Sequence, residues 1–225
     1  MGRTKYTEEE RDQILISFIR ATREIMDAEG IEKISIRKIA ALTGLNSATM
    51  YLYFPNADVL ITMASMGYLE KYCRTLAADM PLMGTNRDAF FHSWEVFSRF
   101  AFEKPKIFFH IFYEPHAVSL NDIVDEYYRL FPDQLKDIEG NVYEMLRSGT
   151  LAERCWTILQ PLARELGISD RDARILNEMS IYYFRGLLEE RCRDSEGLVK
   201  SEQLTNKLHQ ALELLLDRAQ TVQPK

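Results

Sequence analysis

Gly44 sits between two short helical patterns and limits what this chain can fold into more than any other residue. Ahead of it, Ser35 offers a hydroxyl to cap a helix in which Ile36, Ile39, Ala40 and Thr43 recur at helical spacing. A glycine just past the last periodic residue supplies the positive φ that a Cβ makes costly, so the helix ends in a tight turn. The small Ala40, four residues ahead of Gly44, lets the next helix cross closely. Beyond the turn, Leu45 and Met50 give apolar anchors and Asn46 a second cap. The second helix, expected over residues 47–54, opens with Ser47, Ala48 and Thr49, groups small enough to approach base edges without clashing. Helix, tight turn and helix in this order make a helix-turn-helix, the motif that lays its second helix in the major groove of DNA.

Such a pair needs a third helix beneath it. Thr7-Glu8-Glu9-Glu10 has the form of a capping box, with Thr at the cap and Glu three residues later. Ile14, Phe18, Ala21, Ile25 and Ala28 then fall at i, i+4, i+7, i+11 and i+14, which makes one helix face apolar until Gly30 stops it. Residues 1–6 read as a mobile arm, whose Arg3 and Lys5 either touch DNA backbone or are simply disordered. After the motif, Asn56 can cap a helix running through Leu60, Ala64, Gly67 and Leu69 to about Met80, ahead of Pro81. That helix joins the first part of the chain to everything after it.

Over residues Ile14 to Met63 the sequence resembles the DNA-binding domain of the TetR family of transcriptional regulators. The residues that carry the resemblance are Glu29-Gly30, Ile34-Ser35-Ile36-Arg37-Lys38-Ile39-Ala40, Gly44-Leu45-Asn46-Ser47-Ala48-Thr49-Met50-Tyr51 and Phe54, with a new helix near Asn56. The resemblance spans roughly the first quarter of the chain. Beyond it, only length and helical character match. It implies DNA contacts at 35 to 37 and 47 to 53, a two-fold dimer and an effector domain. The family commonly has a lysine shortly after Phe54 that clamps phosphate. Here Pro55-Asn56-Ala57-Asp58 puts alanine and then an acid there, so one phosphate contact is expected to be missing.

The side-chain chemistry assigns roles within this stretch. Ser47 and Thr49 can hydrogen-bond base edges or nearby phosphates, and Ala48 can touch a thymine methyl. Tyr51 and Tyr53 carry hydroxyls suited to phosphate, and Arg37 and Lys38 reach phosphate from the first helix of the motif. Ser35 and the cap Asn46 complete the candidate DNA-binding set. For Tyr51 and Phe54 the alternative is a place in the core, since aromatics at helical spacing are often simply packed.

Charge fits this division of labour. The net charge of −6 lies entirely beyond residue 57, because residues 1–57 hold eight basic and eight acidic side chains. From Lys33 to Ala57 there are Lys33, Arg37 and Lys38 and no acid, a segment that can steer one end of an acidic protein to phosphate. A hydrophobic fraction of 46% and a charged fraction of 28% are those of an ordinary folded domain with a real core. No apolar run approaches a membrane span, and the polar start MGRTKYTEEERDQ is unlike a signal sequence. Cys73, Cys155 and Cys192 lie far apart with no CxxC pair, as expected of free thiols in a reducing cytoplasm.

From Asn86 onward the periodicity predicts helices over 86–103, 104–113, 120–149 with a break near Pro132, 152–166, 170–193 and 201–219. The first three are rich in aromatics. Trp94, Phe97, Phe112, Tyr127 and Phe131 can line an apolar cavity in which His110, Tyr113 or Tyr128 fixes a polar group of a small, partly apolar ligand. The same residues can instead fill a core. In the last two helices Leu176, Met179, Tyr183 and Leu187 form one stripe, with Gly186 allowing close approach. Leu204, Leu208, Ala211 and Leu215 form another. Two such helices from each subunit make a four-helix interface with two-fold symmetry, in competition with packing inside one chain.

The expected fold is therefore all-α, with a three-helix helix-turn-helix domain over 1–55 and a larger helical ligand-binding and dimerisation domain over 56–225. The expected function is a cytoplasmic, ligand-responsive repressor that binds a near-palindromic double-stranded DNA operator as a homodimer. One rival is a DNA-binding regulator with a closed core that answers to a protein partner. The other, a helical-bundle enzyme, lacks its signatures. A di-metal bundle needs Glu-x-x-His, but Ala89, Ile107, Tyr113 and Asn206 stand three residues before His92, His110, His116 and His209. No GxGxxG, GxxxxGK[ST] or GxSxG occurs either, so no cofactor, metal or catalytic residue is expected.

Overall fold

Thr7 starts the first helix, α1 (Glu8–Glu29), through the reciprocal pair its spacing predicts. Glu10 N–H donates to Thr7 Oγ1 at 3.2 Å, and Thr7 N–H to the Glu10 carboxylate at 2.8 Å. Gly30 ends α1 at φ 93°. Ser35 caps α2 (Ile36–Thr43), accepting from Lys38 N–H, and Gly44 closes it at φ 67°, where a side chain would be strained. Asn46 accepts from Ala48 N–H at 2.9 Å and so starts α3 (Ser47–Tyr53), and Asn56 does the same for Val59 in α4 (Ala57–Asp79).

The coordinates are those of a computed structural model, which describes residues 6–136 and 138–221; the proposed contacts of Arg3 and Lys5 lie outside them. Every regular element among the described residues is helical. After α4 come α5 (Asn86–Glu103), α6 (Pro105–Tyr113), α7 (Leu120–Leu130), α8 (Gly140–Arg147), α9 (Leu151–Glu165), α10 (Asp170–Arg193) and α11 (Ser201–Thr221). The predicted break near Pro132 divides the stretch 120–149 into two helices. Pro132 has no N–H to continue α7, a short 3-10 turn follows, and α8 starts at Gly140 with φ 63°. Among the described residues, no helix is long and apolar enough to cross a membrane.

These helices sort into two units, Met1–Tyr68 with Pro115–Gln134, and Leu69–Glu114 with Leu135–Lys225. In the first, Phe18, Ile25, Ile39, Met50, Phe54 and Leu60 are buried, and Phe18 meets Phe54 edge to face at 6.1 Å. Arg23 of α1 ties this core to two other helices. Its Nε donates to the carbonyl of Ala64 in α4 at 3.1 Å, and its Nη2 to Tyr127 Oη in α7 at 3.0 Å. The guanidinium lies where a Cβ on Gly67 would stand, so glycine is required there for access rather than for φ. Arg129 of α7 adds a two-bond fork to Asp12 of α1 at 2.7 and 2.8 Å, which holds the Asp12 carboxyl below the ordinary carboxylate range. Tyr68 donates to Asp27 at 2.6 Å, and burial with that carboxylate pushes its phenol above the usual range.

The second unit is organised around Phe97 of α5, whose ring lies 5.1–5.7 Å from those of Tyr72, Phe108, Phe112 and Phe184. Trp94 joins at 6.0 Å. Edge and tilted contacts of this kind hold α5, α6 and α10 at fixed angles, and α9 and α11 complete the layer.

Gly67→Ala should test the Arg23 tie. The added methyl displaces the guanidinium and its two hydrogen bonds, a loss of about 1–3 kcal/mol that exceeds the gain of up to ~1 kcal/mol from alanine's better helix propensity. Denaturant titration should therefore give a lower midpoint; a midpoint at or above that of the unsubstituted protein would mean that Arg23 holds nothing in place.

Candidate functional site

The two faces of α3 differ. Met50 and Phe54 are buried, 0% and 2% exposed, and Phe54 meets Phe18 of α1. Ala48, Tyr51 and Leu52, at i, i+3 and i+4, form the outward face, with Tyr51 58% and Leu52 63% exposed. Of the two aromatics whose place was open, Phe54 is thus core and Tyr51 is surface. Asn46 and Ser35 are exposed at the two helix starts, while Ser47 and Thr49 are half-buried at the flanks of the outward face. Leu52 adds apolar surface to this face, and Leu42 of α2 is half exposed.

Two expected contacts change meaning. Lys38 does not stand free, because its ammonium lies 2.6 Å from the Glu29 carboxylate at the end of α1. Both partners are more than two-fifths exposed, so the pair is weak and a phosphate can take Glu29's place. Arg37 is exposed and makes no ion pair among the described residues. Tyr53, two positions from Tyr51 and so on another side of α3, lines a groove of about 480 Å³ within the first unit. Glu8, Asp12, Asp122 and Glu126 share that groove with Arg11 and Arg129, which makes it a poor place for phosphate.

The residues expected around a ligand separate. Tyr127, Tyr128 and Phe131 belong to the first unit, where Tyr127 is bonded to Arg23 and stacked at 4.8 Å on Phe131. Trp94, Phe97, His110, Phe112 and Tyr113 belong to the second. There His110 Nδ1 lies 2.6 Å from the Glu114 carboxylate, and Tyr113 donates to the Ile181 carbonyl at 3.3 Å. Burial drives the Tyr113 phenol upward, and it stays protonated. Trp94 and Phe97 border a cavity of about 30 Å³ whose other walls include Tyr72, Phe90, Met145, Arg154 and Cys155. Burial pushes the Cys155 thiol up to about 12, so it is neither a nucleophile nor a charge. Arg154 escaped the sequence reading although its spacing gives it away. Leu151, Cys155, Ile158 and Leu162 mark the inner face of α9, and Arg154 falls at i+3 of the same face.

The stripes on the last two helices need a corrected register. Leu176 and Leu187 of α10 and Leu204 and Leu208 of α11 are buried within the chain's own second unit and have no surface left to offer a partner. They follow the face on which α10 and α11 pack against each other and against α5. Met179 and Tyr183 do lie outward, joined by Ile175 and Tyr182, while Leu215 is half-buried beside the exposed Leu214.

Comparison with known proteins fits this geometry. Residues 18–62 match the bacterial regulatory proteins of the tetR family. No protein of curated function matches the sequence. Among solved structures, RolR in complex with its ligand resorcinol is 14% identical with a TM-score of 0.61, over 97% of this chain and 99% of that one. Thermus thermophilus FadR, a TetR family transcriptional repressor in complex with lauroyl-CoA, is 17% identical with a TM-score of 0.59, over 90% and 93%. At these identities the likeness is one of fold, and it runs through both units. The matched family consists of regulators, which sets the helical-bundle enzyme aside. With the turn at Gly44, the buried Met50 and Phe54 and the match over 18–62, this stretch is similar to the DNA-binding domain of the tetR family of bacterial regulatory proteins.

Proposed function

We propose that this protein is a homodimeric, ligand-controlled transcriptional repressor that acts in the cytoplasm on a near-palindromic operator. The observation that carries it is the division of α3, with Met50 and Phe54 fixed in the core and Ala48, Tyr51 and Leu52 turned outward. A face of this composition suits thymine methyl groups, with Tyr51, Ser47, Thr49 and Asn46 supplying hydrogen bonds at its edges. Arg37 and, after release from Glu29, Lys38 would anchor the helix to phosphate. Ser35, exposed at the start of α2, would add a backbone contact.

The outward stripe of α10 supports dimerisation. Ile175, Met179, Tyr182 and Tyr183 are each more than two-fifths exposed, and Gly186 follows on the same helix with open space at its Cβ position. A self-complementary pairing of this stripe, with Leu214 and Leu215 of α11 beside it, would remove it from water. Two reading helices would then lie roughly 34–36 Å apart, or a multiple of that, on successive major grooves.

Control by a small molecule draws support from the ligand complexes of the two similar folds, resorcinol in RolR and lauroyl-CoA in FadR. A ligand that prefers the dimer with wrongly spaced reading helices lowers operator affinity by its differential affinity for the two states. The cavity of about 30 Å³ favours a second reading, in which the second unit answers to a protein partner instead.

Selection of bound sequences from a random DNA pool should recover a near-palindrome, and the absence of any enriched sequence would end the regulator reading. On the selected site, Arg37→Ala should weaken binding to all sequences alike and lower the slope of log affinity against log salt by about 1. An unchanged slope would remove Arg37 from the phosphate contacts. Met179→Glu should convert the dimer to a monomer in sedimentation while leaving the helical circular dichroism intact; a dimer that survives would move the interface off α10.

A further inference from the structure

We propose that the cavity in the second unit is the binding site of a small monocarboxylate with an apolar or aromatic body, recognised by Arg154. This rests on the reading of the protein as a ligand-controlled regulator and specifies the ligand's chemical class. Arg154 is 3% exposed on the inner face of α9. One of its terminal nitrogens, Nη2, donates to the Leu146 carbonyl at 3.0 Å. Its Nε and Nη1 are buried without any hydrogen-bond partner, and among the described residues no carboxylate pairs with it. The guanidinium carbon lies 5.7 Å from the centre of the Phe112 ring, a contact that places the cation over an aromatic face but satisfies none of its N–H groups.

An arginine keeps its charge in proteins, and a buried charge without a partner is costly. The neighbours do not remove that cost. Tyr72, Phe90, Trp94, Phe97, Met145, Leu151 and Ile158 are apolar or aromatic, the Ser93 hydroxyl is engaged with the Ala89 carbonyl at 2.7 Å, and Cys155 stays a neutral thiol. The missing component is an anion with hydrogen-bond acceptors and an apolar remainder. A carboxylate supplies both charge and two oxygens for the free N–H groups, and a ring or short alkyl chain matches the walls.

The cavity's volume of about 30 Å³ has room for little more than a water molecule. An aromatic or aliphatic acid must therefore push α5 and α9 apart as it enters. Tyr72 forms part of the wall and belongs to α4, the helix that follows α3 in the chain. A site that is closed when empty and open when filled binds the two conformations unequally, as ligand control requires.

The test uses the full-length protein and three probes, benzoate, hexanoate and benzamide. At least one of the two carboxylates should raise the melting temperature saturably, and benzamide should bind at least about tenfold more weakly than benzoate if benzoate is the one bound. Arg154→Met should lose the carboxylate response while its ligand-free melting temperature stays level or rises, because an unpaired buried cation has been removed. Should that variant not fold, Arg154→Lys keeps a point charge without the fork and should bind more weakly but still prefer the acid over the amide. No saturable response to either carboxylate, equal responses to benzoate and benzamide, or an unaltered carboxylate response in Arg154→Met would each overturn the proposal. Because binding is read without DNA, the two ideas fail separately. Carboxylate binding that leaves affinity for the selected operator unchanged would retain the site and overturn ligand control. Operator release by an uncharged ligand, with no carboxylate bound, would do the reverse.

Discussion

Arg23 holds together a unit made from two distant parts of the chain. From α1 it reaches α4 through the Ala64 carbonyl and α7 through Tyr127, and it can do so only because residue 67 has no side chain. The reading helix itself is seven residues long, far below the length at which an isolated helix is stable in water. Its position therefore depends on what lies beneath it, which is Phe18 against Phe54 and Met50 in the same core that Arg23 closes from the side. The fork from Arg129 to Asp12 fastens α7 to α1 a second time, but at the surface, where an ion pair contributes less. Position and angle of α3 thus follow from a buried aromatic pair and one arginine, and the surface charges adjust rather than determine them.

How much of this was legible in the sequence follows from how local each signal is. Caps at Thr7, Ser35, Asn46 and Asn56 and the stop at Gly44 act within four residues, so residue type and spacing reveal them, and the helix bounds follow closely. The aromatic at 54 was ambiguous because periodicity tells which residues share a face and not which face is inward. Pairing of Lys38 with Glu29 spans nine residues and an inter-helix turn, and no local pattern announces it. The groove beside Tyr53 is hidden for a related reason, since it is assembled from α1, α4 and α7 residues that only the fold brings together.

The second unit misleads in a more instructive way. α10 carries two apolar faces, an inner one through Ala173, Leu176, Ser180, Phe184 and Leu187, and an outer one through Ile175, Met179, Tyr182 and Tyr183. A stripe drawn at i, i+3, i+7 and i+11 from Leu176 crosses from one face to the other. A helix apolar on two sides is what a four-helix interface demands, because one side must serve its own chain and the other a second copy. The mixed stripe therefore joins residues of both faces, Leu176 and Leu187 from the inner one and Met179 and Tyr183 from the outer. The even spacing of Leu204, Leu208, Leu212 and Leu216 on α11, by contrast, is a single inward face.

The aromatic cluster and Arg154 belong to one physical problem. Rings packed around Phe97 at 5–6 Å leave almost no void, and a core of that density resists small deformations while tolerating discrete rearrangement. A filled aromatic core made only of apolar groups would have one favourable arrangement and no reason to open. Arg154 changes this, because the closed arrangement strands two nitrogens of a buried cation. Opening toward an anion satisfies them, and opening without one exposes apolar rings to water. The closed state is thus favoured by the aromatics and opposed by the arginine, and an anion decides between them. That opposition of two large terms is what lets a small molecule of modest affinity choose between conformations of a packed helical domain.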